Sequence, residues 1–301
     1  MKPRRLLCGV AVAVLLLAGC ADAPRRVEPE QTPPVAVAPA RKPPRIGLVL
    51  GGGAARGFAH IGVIQALEEA GVHPDLVVGT SAGSVVAALY ASGKNGTELQ
   101  KVAEGMDEAS LSDWQLPFVK PGMLKGEALA RFIRTQVASR QIQDLNMPLG
   151  VVATDLHSGQ AILFQRGDTA TAVRASSAIP AVFQPVTIAG REYVDGGLVS
   201  PVPVRFARQM GAELVIAVDI SSPVENNAAR DTLQILMQTF AIMGRSINAF
   251  ELSDADVVVR PSMNGLVSTT FASRGPAIQA GRQAMRAAIG NLRGVIQAKS
   301  M

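Results

Sequence analysis

The stretch that decides the fold is Ile46–Gly93, which reads IGLVLGGGAARGFAHIGVIQALEEAGVHPDLVVGTSAGSVVAALYASG. It contains two glycine turns, and each follows an apolar run typical of a strand and opens a run typical of a helix. The first turn is Gly51–Gly53 and the second is Gly79–Gly83, which has the spacing G-x-S-x-G around Ser81. Glycines on both sides remove side chains that would collide at a sharp strand-to-helix turn. The pattern therefore predicts a nucleophilic Ser81 hydroxyl that points outward from a nucleophile elbow.

The first turn, Gly51–Gly53, does not have the spacing of a nucleotide-binding loop. Both possible registers of G-x-G-x-x-G fail, one at Arg56 and the other at Ala54. A phosphate-binding P-loop needs lysine after Gly57, where this sequence has Phe58. A glycine turn at a helix N-terminus still presents N–H groups to an anion. An acyl-transfer enzyme needs such donors for its oxyanion.

Three further blocks complete a pattern with the two turns: VVATDL at Val151–Leu156, SSAIPAVFQP at Ser176–Pro185, and D-G-G at Asp195–Gly197. In this order the motifs resemble those of the patatin-like phospholipases, in particular their bacterial and neuropathy-target-esterase-like branch. The resemblance extends from Ile46 to about Arg260. The sequence departs from many members at Ala54, where they carry another glycine.

The resemblance implies a division of roles among the motifs. The glycine loop would form the oxyanion hole, Ser81 would be the nucleophile, and the D-G-G turn would supply the partner of a Ser–Asp dyad. The segment Ser176–Pro185 would line the cleft beside the nucleophile. The implied site residues are Ser81 and Asp195, the elbow glycines Gly79 and Gly83, the oxyanion residues Gly51, Gly52, Gly53, Arg56 and Gly57, and the glycines Gly196 and Gly197 behind the acid.

A nucleophilic serine needs a base, and the three histidines offer little. In an α/β-hydrolase the chain order is serine, acid, histidine, and no histidine follows Asp195. We expect His60 to pack within the helix after the glycine turn. His73 precedes a proline in a turn, and His157 lies in a hairpin bend. All three are therefore expected to be structural.

An aspartate paired directly with the serine fits better, and Asp195 is the candidate. The other carboxylates considered are Asp155 and Asp219, each of which ends an apolar strand, where carboxylates commonly cap turns. A free aspartate has a pKa near 4 and is a weak base, so the site is expected to raise it by burial. The N–H groups of Gly52 and Gly53 are expected to bind the oxyanion.

The N-terminal residues predict export and lipid attachment. Basic residues precede the apolar run Leu6–Ala18, which is too short to span a membrane comfortably and is typical of a secretory signal. Leu17–Cys20 resembles a bacterial lipobox, although a cysteine can follow such a run by chance. We expect a signal peptide at 1–19, a lipid-anchored proline-rich tether at 20–45 and the enzyme domain at 46–301. The predicted protein is a lipoprotein on the periplasmic side of a membrane, and Ala21 after Cys20 favours the outer membrane.

The charge balance argues against nucleic acid as a partner. The chain carries 29 basic and 24 acidic residues. The signal holds three of the basic residues, and the tether holds five basic and three acidic ones, so the domain keeps 21 of each. No basic cluster is interleaved with aromatic residues. No cluster of cysteine and histidine with metal-ligand spacing occurs, and we expect neither a metal nor a cofactor.

Apolar runs and helical runs alternate along the domain. Strand-like runs are predicted at Ile46–Leu50, Leu76–Val78, Leu149–Ala153, Ala161–Phe164, Glu192–Val194, Leu214–Val218 and Val257–Val259, and helices at Phe58–Ala70, Val85–Tyr90, Glu127–Ala138 and Leu233–Phe250. This alternation predicts an α/β fold with a mainly parallel central sheet and helices on both faces. The resemblance implies the same three-layer α/β/α arrangement.

The segment between Gly105 and Gly126 breaks the pattern and carries the single tryptophan, Trp114. It is either a lid that meets acyl chains or an ordinary loop packed on the domain. For the function we expect a serine hydrolase of phospholipids or lysophospholipids. A carboxylesterase of soluble esters and a non-catalytic lipoprotein that binds lipid or a partner remain alternatives. The sequence does not predict the oligomeric state.

Overall fold

A computed structural model describes residues 42–106, 124–221, 231–263 and 271–300. The predicted signal peptide, Cys20 and nearly all of the tether lie outside these ranges, as do residues 107–123 of the segment interpreted as either a lid or an ordinary loop. Those interpretations stay predictions. Within the described ranges, no helix is both long enough and apolar enough to cross a membrane.

The described residues form an eight-stranded sheet with the order β5-β6-β3-β2-β1-β7-β8, in which β4 also pairs with β3. The pairs β1–β2, β1–β7, β2–β3 and β7–β8 are parallel, and the pairs that involve β4, β5 and β6 are antiparallel. The strands are β1 (Ile46–Leu50), β2 (Leu76–Thr80), β3 (Leu149–Asp155), β4 (Ala161–Phe164), β5 (Val186–Ile188), β6 (Arg191–Asp195), β7 (Leu214–Val218) and β8 (Val257–Val259).

Helices cover both faces of this sheet. They are α1 (Ala59–Glu69), α2 (Ala82–Ala91), α3 (Gly96–Glu104), α4 (Glu127–Gln136), α5 (Thr169–Ser176), α6 (Val204–Gln209), α7 (Thr232–Glu251) and α8 (Arg274–Lys299). A short 3₁₀ turn, Ala54–Phe58, leads into α1. The predicted fold class, a three-layer α/β/α domain with a mainly parallel sheet, is confirmed.

The central strands are apolar throughout because both of their faces are covered. Every residue of β1, β2, β3 and β7 is buried. Leu48 and Leu50 pack in one hydrophobic cluster with α1, α2 and α8, whereas Val49 packs in a second cluster with α6. The side chains of adjacent strand residues thus pack on opposite faces of the sheet, as the two-residue period of a strand requires.

The register of β3 brings two distant segments together. Val152 pairs with Thr80 of β2, and the next residue, Ala153, pairs with Asp195 of β6. Both residues also pair with β4, which therefore occupies the other edge of β3. Consequently β2 and β6 lie one after the other along the same edge of β3. This arrangement places Asp195 next to Ser81, the residue that follows Thr80.

Candidate active site

Ser81 occupies a strained turn between β2 and α2. Its backbone has φ 52° and ψ −126°, and a positive φ is uncommon for a residue with a side chain. A Cβ atom on Gly79 would lie 2.5 Å from the Gly83 carbonyl oxygen, and one on Gly83 would overlap the Leu50 carbonyl oxygen. Only glycine fits at either position, which is the local geometry of a nucleophile elbow.

Polar contacts hold this turn in place. The Ser81 N–H donates to the Ser176 Oγ at 2.9 Å, and that hydroxyl donates to the Val152 carbonyl at 2.6 Å. On the other side, the Ser84 hydroxyl donates to the Ser81 carbonyl at 2.6 Å. Strain of this kind costs roughly 1–3 kcal/mol and persists only where the surroundings determine the backbone. These bonds and the sheet supply that determination.

Asp195 is bonded directly to the serine. The Ser81 hydroxyl donates to Oδ2 of Asp195 at 2.6 Å, and the Gly197 N–H donates to Oδ1 at 2.7 Å. The Asp195 N–H donates to the Ala178 carbonyl at 2.9 Å. The carboxylate is therefore oriented from its own turn, and one oxygen faces the Ser81 hydroxyl.

Both side chains are nearly closed off from solvent. Ser81 is 8% exposed and Asp195 is 6% exposed. Burial raises the pKa of the Asp195 carboxyl from 3.8 to about 6, although hydrogen bonds from Ser81 and Gly197 act in the opposite direction. A carboxylate with a pKa near 6 is a better proton acceptor than a free aspartate and is still mostly ionised at pH 7.

The glycine loop lies against the same site, but its first two backbone N–H groups already donate to backbone carbonyls of the domain. The Gly51 N–H donates to the Val218 carbonyl at 3.1 Å, and the Gly52 N–H donates to the Pro201 carbonyl at 2.9 Å. We find no hydrogen bond from the next two N–H groups, those of Gly53 and Ala54, to any described residue. The expectation that Gly52 donates to the oxyanion does not fit this geometry, because its N–H already has an acceptor. Gly53 and Ala54 carry the loop's available donors.

The remaining residues of the loop set its packing. A Cβ atom on Gly52 would lie 3.2 Å from the Ser81 Cβ, and one on Gly57 would lie 2.9 Å from the Ala82 Cβ. These contacts bring the loop close to the nucleophile. The Arg56 N–H donates to the Gly53 carbonyl at 3.2 Å and closes the 3₁₀ turn.

Ala54 bears backbone strain. Its φ is 50°, in the left-handed region that costs a residue with a side chain about 1–2 kcal/mol. We expect Ala54→Gly to raise the free energy of unfolding by about 0.5–1 kcal/mol in urea denaturation, after the greater backbone entropy of glycine is subtracted. The neighbouring Ala55→Gly, at a position without positive φ, should instead lower it by about 0.5–1 kcal/mol. Equal destabilisation by both substitutions would contradict the strain at Ala54.

His60 has a role that the sequence did not reveal. It is fully buried, and its Nε2 donates to the Gly51 carbonyl at 2.8 Å, so that it supports the glycine loop. Burial lowers the pKa of His60 to about 4, which keeps the ring neutral at pH 7. His73 is exposed, and His157 is exposed and lies 3.2 Å from Glu192. None of the three hydrogen-bonds Ser81 or Asp195 within the described residues.

The two competing carboxylates serve turns. Asp155 accepts the N–H groups of His157 and Ser158 at 3.0 and 2.9 Å. Asp219 accepts the Ser221 N–H at 3.0 Å and lies 3.3 Å from the Arg260 Nε. Neither contacts the Ser81 hydroxyl in the described structure, which agrees with the turn-capping alternative considered for them.

An apolar groove begins beside the nucleophile. It lies among the 3₁₀ turn, α1, α2, α3 and α4. Its wall includes Ala82, the residue after Ser81, and its lining is almost wholly apolar. The lining residues are Ala54, Ala55, Gly57, Phe58, Ile61, Ala82, Val85, Val86, Leu89, Leu99, Val102, Ala103, Met106 and Phe132.

No group of three or more histidine, cysteine, aspartate or glutamate side chains that could hold a metal occurs among the described residues. The candidate site itself brings together a serine, a carboxylate and backbone N–H donors. Such a set suits nucleophilic attack on a carbonyl carbon.

Comparison with known families and proteins gives matching results. Residues 48–208 match the family model described as patatin-like phospholipase. An uncharacterized NTE family protein of Mycobacterium tuberculosis is 39% identical over 189 residues, which cover 62% of this chain and 52% of that protein. Human patatin-like phospholipase domain-containing protein 6 is 38% identical over 188 residues, covering 60% of this chain and 14% of that protein. The chain thus spans about half the length of the mycobacterial relative and a small part of the human one.

Solved structures give a weaker likeness. VipD from Legionella pneumophila has a TM-score of 0.49 and 16% identity, with 83% of this chain and 67% of the other covered. ExoU of Pseudomonas aeruginosa, in its complex with SpcU, has a TM-score of 0.48 and 18% identity, with 85% of this chain and 53% of the other covered.

Proposed function

Because this chain belongs to the patatin-like phospholipase family, we propose that it is a serine hydrolase of fatty-acyl esters in phospholipids or lysophospholipids. The observation that carries the proposal is the 2.6 Å hydrogen bond from the Ser81 hydroxyl to the Asp195 carboxylate. The apolar groove beside Ser81 supports a fatty-acyl substrate. A carboxylesterase of soluble esters has the same dyad without the need for that groove.

The proposed reaction has two half-reactions. The Ser81 Oγ attacks the ester carbonyl carbon while its proton passes to Asp195, and the carbonyl oxygen becomes an oxyanion bound by the N–H groups of Gly53 and Ala54. Each such donor is worth about 3–4 kcal/mol in the transition state. The tetrahedral intermediate expels the alcohol, which takes the proton from Asp195 and leaves an acyl-serine. Water then attacks the acyl carbon, again losing its proton to Asp195, and the fatty acid is released as Ser81 regains a proton.

The experiment that tests this function measures hydrolysis of three substrates by the purified protein. They are phospholipid vesicles, a lysophospholipid and a short soluble ester, and Ser81→Ala is the control. Fatty acid released from either lipid faster than the short ester is cleaved would support the lipid hydrolase. Turnover of the short ester alone would favour the carboxylesterase, and no turnover of any substrate would favour a binding protein.

The groove makes a testable claim about acyl chain length. Val102 lies partly exposed in its wall, so Val102→Trp should fill it without disturbing the core. We expect kcat/KM for a long-chain ester to fall about 30-fold, since excluding two or three methylene groups costs about 2 kcal/mol. Turnover of a two-carbon acyl ester should change by less than about threefold, or about 0.7 kcal/mol. This ester has no long acyl chain that the filled groove would exclude. Lys101→Trp, on the outer side of α3, is the matched control, and equal loss on both esters would contradict an acyl site.

The raised pKa of Asp195, about 6, predicts the pH dependence of turnover. The ionised carboxylate is the base, so kcat/KM should be level above pH 7 and fall about tenfold per unit below pH 6. A profile that is flat from pH 5 to pH 8, measured on folded protein, would contradict Asp195 as the base.

Circular dichroism at each pH shows whether the protein is still folded and so separates the loss of the base from unfolding. This control is needed because Asp195 and His60 make the free energy of unfolding depend on pH, in opposite directions. Since the folded pKa of Asp195 is raised, its contribution is present below pH 3.8 and lost as the pH rises through about 6. Since the folded pKa of His60 is lowered to about 4, its contribution is present above pH 6.5 and lost as the pH falls towards 4.

On the sequence alone, we also propose that lipid attached to Cys20 anchors the domain to a membrane on its periplasmic side. The supporting residues are the apolar run Leu6–Ala18 and the lipobox Leu17–Cys20. Two or three acyl chains at one cysteine would give stable anchoring.

A further inference from the structure

The helix α7 is unusually exposed for its composition. It has 20 residues, of which only Gly244, Asn248 and Glu251 are buried. The Asp231 side chain accepts the Gln234 N–H at 2.8 Å and caps its N-terminus. Seven more of its residues are half-buried and ten are exposed, so one side of the helix faces outward.

That outward surface is apolar. Four of the five large apolar side chains that are exposed in the described structure belong to α7. They are Ile235 at 56%, Ile242 at 49%, Met243 at 47% and Phe250 at 79%. Spacings of seven and eight residues place them on one side of the helix. We call these four residues the α7 ridge.

Two hydroxyl side chains on the same side of the helix are bonded within the helix. The Thr239 hydroxyl donates to the Ile235 carbonyl at 2.9 Å, and the Ser246 hydroxyl donates to the Ile242 carbonyl at 3.4 Å. Hydroxyl groups bonded within their own helix can enter an apolar medium without losing a donor bond. The ridge can therefore leave water as a unit.

The charge of α7 fits an anionic surface. Between Thr232 and Phe250 the sequence has a single ionisable side chain, Arg245, which is exposed. The carboxylate of Glu251, at the end of the helix, is turned inward and accepts the Ser200 hydroxyl at 2.6 Å. Within the helix the exposed side chains thus carry one positive charge, and the exposed carboxylate beside it, that of Asp231, is engaged in capping the helix N-terminus.

The buried side of α7 lies against the candidate active site. Gly244 faces Pro201, whose ring a Cβ at Gly244 would meet at 3.4 Å, and the Pro201 carbonyl accepts the Gly52 N–H. Leu233 packs on the hydrophobic cluster that contains Ala178, the residue that accepts the Asp195 N–H. The ridge is therefore separated from the catalytic segments by about the 10 Å diameter of one helix.

We propose that the α7 ridge inserts into the surface of an anionic phospholipid bilayer and so presents the active site to it. Ile235, Ile242, Met243 and Phe250 enter the acyl region, and Arg245 meets lipid phosphates. The proposal rests on the proposed function in that the bilayer also holds the substrate. A second copy of the chain is a poorer occupant: the four exposed side chains offer roughly 450 Å², taking about 200 Å² for each large side chain, against about 800 Å² per partner in a stable dimer.

The test reports the environment of α7 directly. In the full chain, Cys8 and Cys20 are replaced by serine, Ile242→Cys is labelled with an environment-sensitive fluorophore, and vesicles of phosphatidylglycerol are added. Emission is expected to shift to the blue, to rise at least threefold, and to be quenched by a nitroxide on the lipid chains. Leu156→Cys, at 46% exposure on another part of the surface, is the matched control and should not respond.

Two results would overturn the proposal. The first is an unchanged label at residue 242 while the protein sediments with the vesicles. The second is a shift of the label without lipid as protein concentration rises, which would indicate a second copy. A second measurement uses Ile242→Glu with Phe250→Glu, expected to lower vesicle hydrolysis at least tenfold and to leave short-ester turnover within twofold. If the label inserts but the wild type cleaves no ester, the proposed function is wrong and the membrane-binding role of the α7 ridge is retained. If the vesicle phospholipid and the short ester are both cleaved without insertion, the membrane-binding role is wrong and the proposed function is retained.

Discussion

Ser81→Ala and Asp195→Asn are each expected to lower kcat/KM for ester hydrolysis by about 10³-fold or more with the fold intact. The first substitution removes the nucleophile, and loss of the serine in hydrolases of this kind costs up to ~10⁶-fold. The second keeps the shape of the side chain and its bond to Gly197 N–H on one oxygen, but an amide cannot accept the serine proton. The measurement is turnover of a common ester, with folding checked by circular dichroism.

The histidines supply the controls for this prediction. His73→Asn and His157→Gln change exposed side chains that do not contact the dyad, and kcat/KM should change by less than about tenfold, or 1.4 kcal/mol. A folded histidine variant as inactive as Ser81→Ala would replace the dyad by a triad. A fluorophosphonate probe that still labels Ser81→Ala would remove Ser81 as the nucleophile.

The central strands could be predicted well because their burial is complete. β1 and β7 have the predicted bounds, since an apolar run that ends in glycine or a polar residue marks both ends of a covered strand. The edge strands β4 and β8 also have the predicted bounds, although they are only partly buried. β2 and β3 extend two residues beyond their predicted ends, to Thr80 and Asp155. Polar residues end these strands because the carboxyl end of the sheet holds the site.

Two other elements, α8 and β5, were not predicted because their local sequence signals are weak. The helix α8 was not predicted, because its glycines weaken the helical signal, although its buried Ile278, Met285 and Leu292 recur every seven residues. β5, Val186–Ile188, is too short for its alternation to be recognised. α8 is stabilised by packing on α1, far away in the sequence, whereas β5 pairs with the neighbouring strand β6 in a tight hairpin.

The candidate site was partly readable. Spacing alone predicted the elbow, since the collisions that exclude side chains at Gly79 and Gly83 are local to the turn. Asp195 was selected by its glycine-backed motif, but the neighbouring pairing of Thr80 and Asp195 on β3 is non-local and no local pattern encodes it. The same limit explains why the hydrogen bond from the Gly52 N–H to the Pro201 carbonyl was not predicted. The catalytic roles stay predictions until turnover is measured.

Gly281→Ala is expected to be the most destabilising of the glycine-to-alanine substitutions in α8. A Cβ at Gly281 would overlap the Ala59 carbonyl oxygen at the start of α1, and one at Gly62 of α1 would overlap the Ile278 carbonyl oxygen of α8. The two helices therefore touch backbone to backbone, and no side-chain rotation can relieve the clash. Overpacking of a core costs about 1–3 kcal/mol and more where backbone must move, so we expect a loss of at least about 3 kcal/mol.

Gly290→Ala on the same helix is the matched control. A Cβ there meets no atom within 4 Å, so the substitution should raise stability by about 0.5–1 kcal/mol through better helix propensity. Urea denaturation of both variants with an unchanged m-value measures the difference. The ion pairs of Glu69 with Arg282 and Arg286 cross the same interface but are exposed and contribute little, so they cannot offset the clash. Because α1 also carries His60 beneath the glycine loop, Gly281→Ala should lower ester turnover as well, and a variant that lost neither stability nor activity would show that α1 and α8 can separate without moving the site.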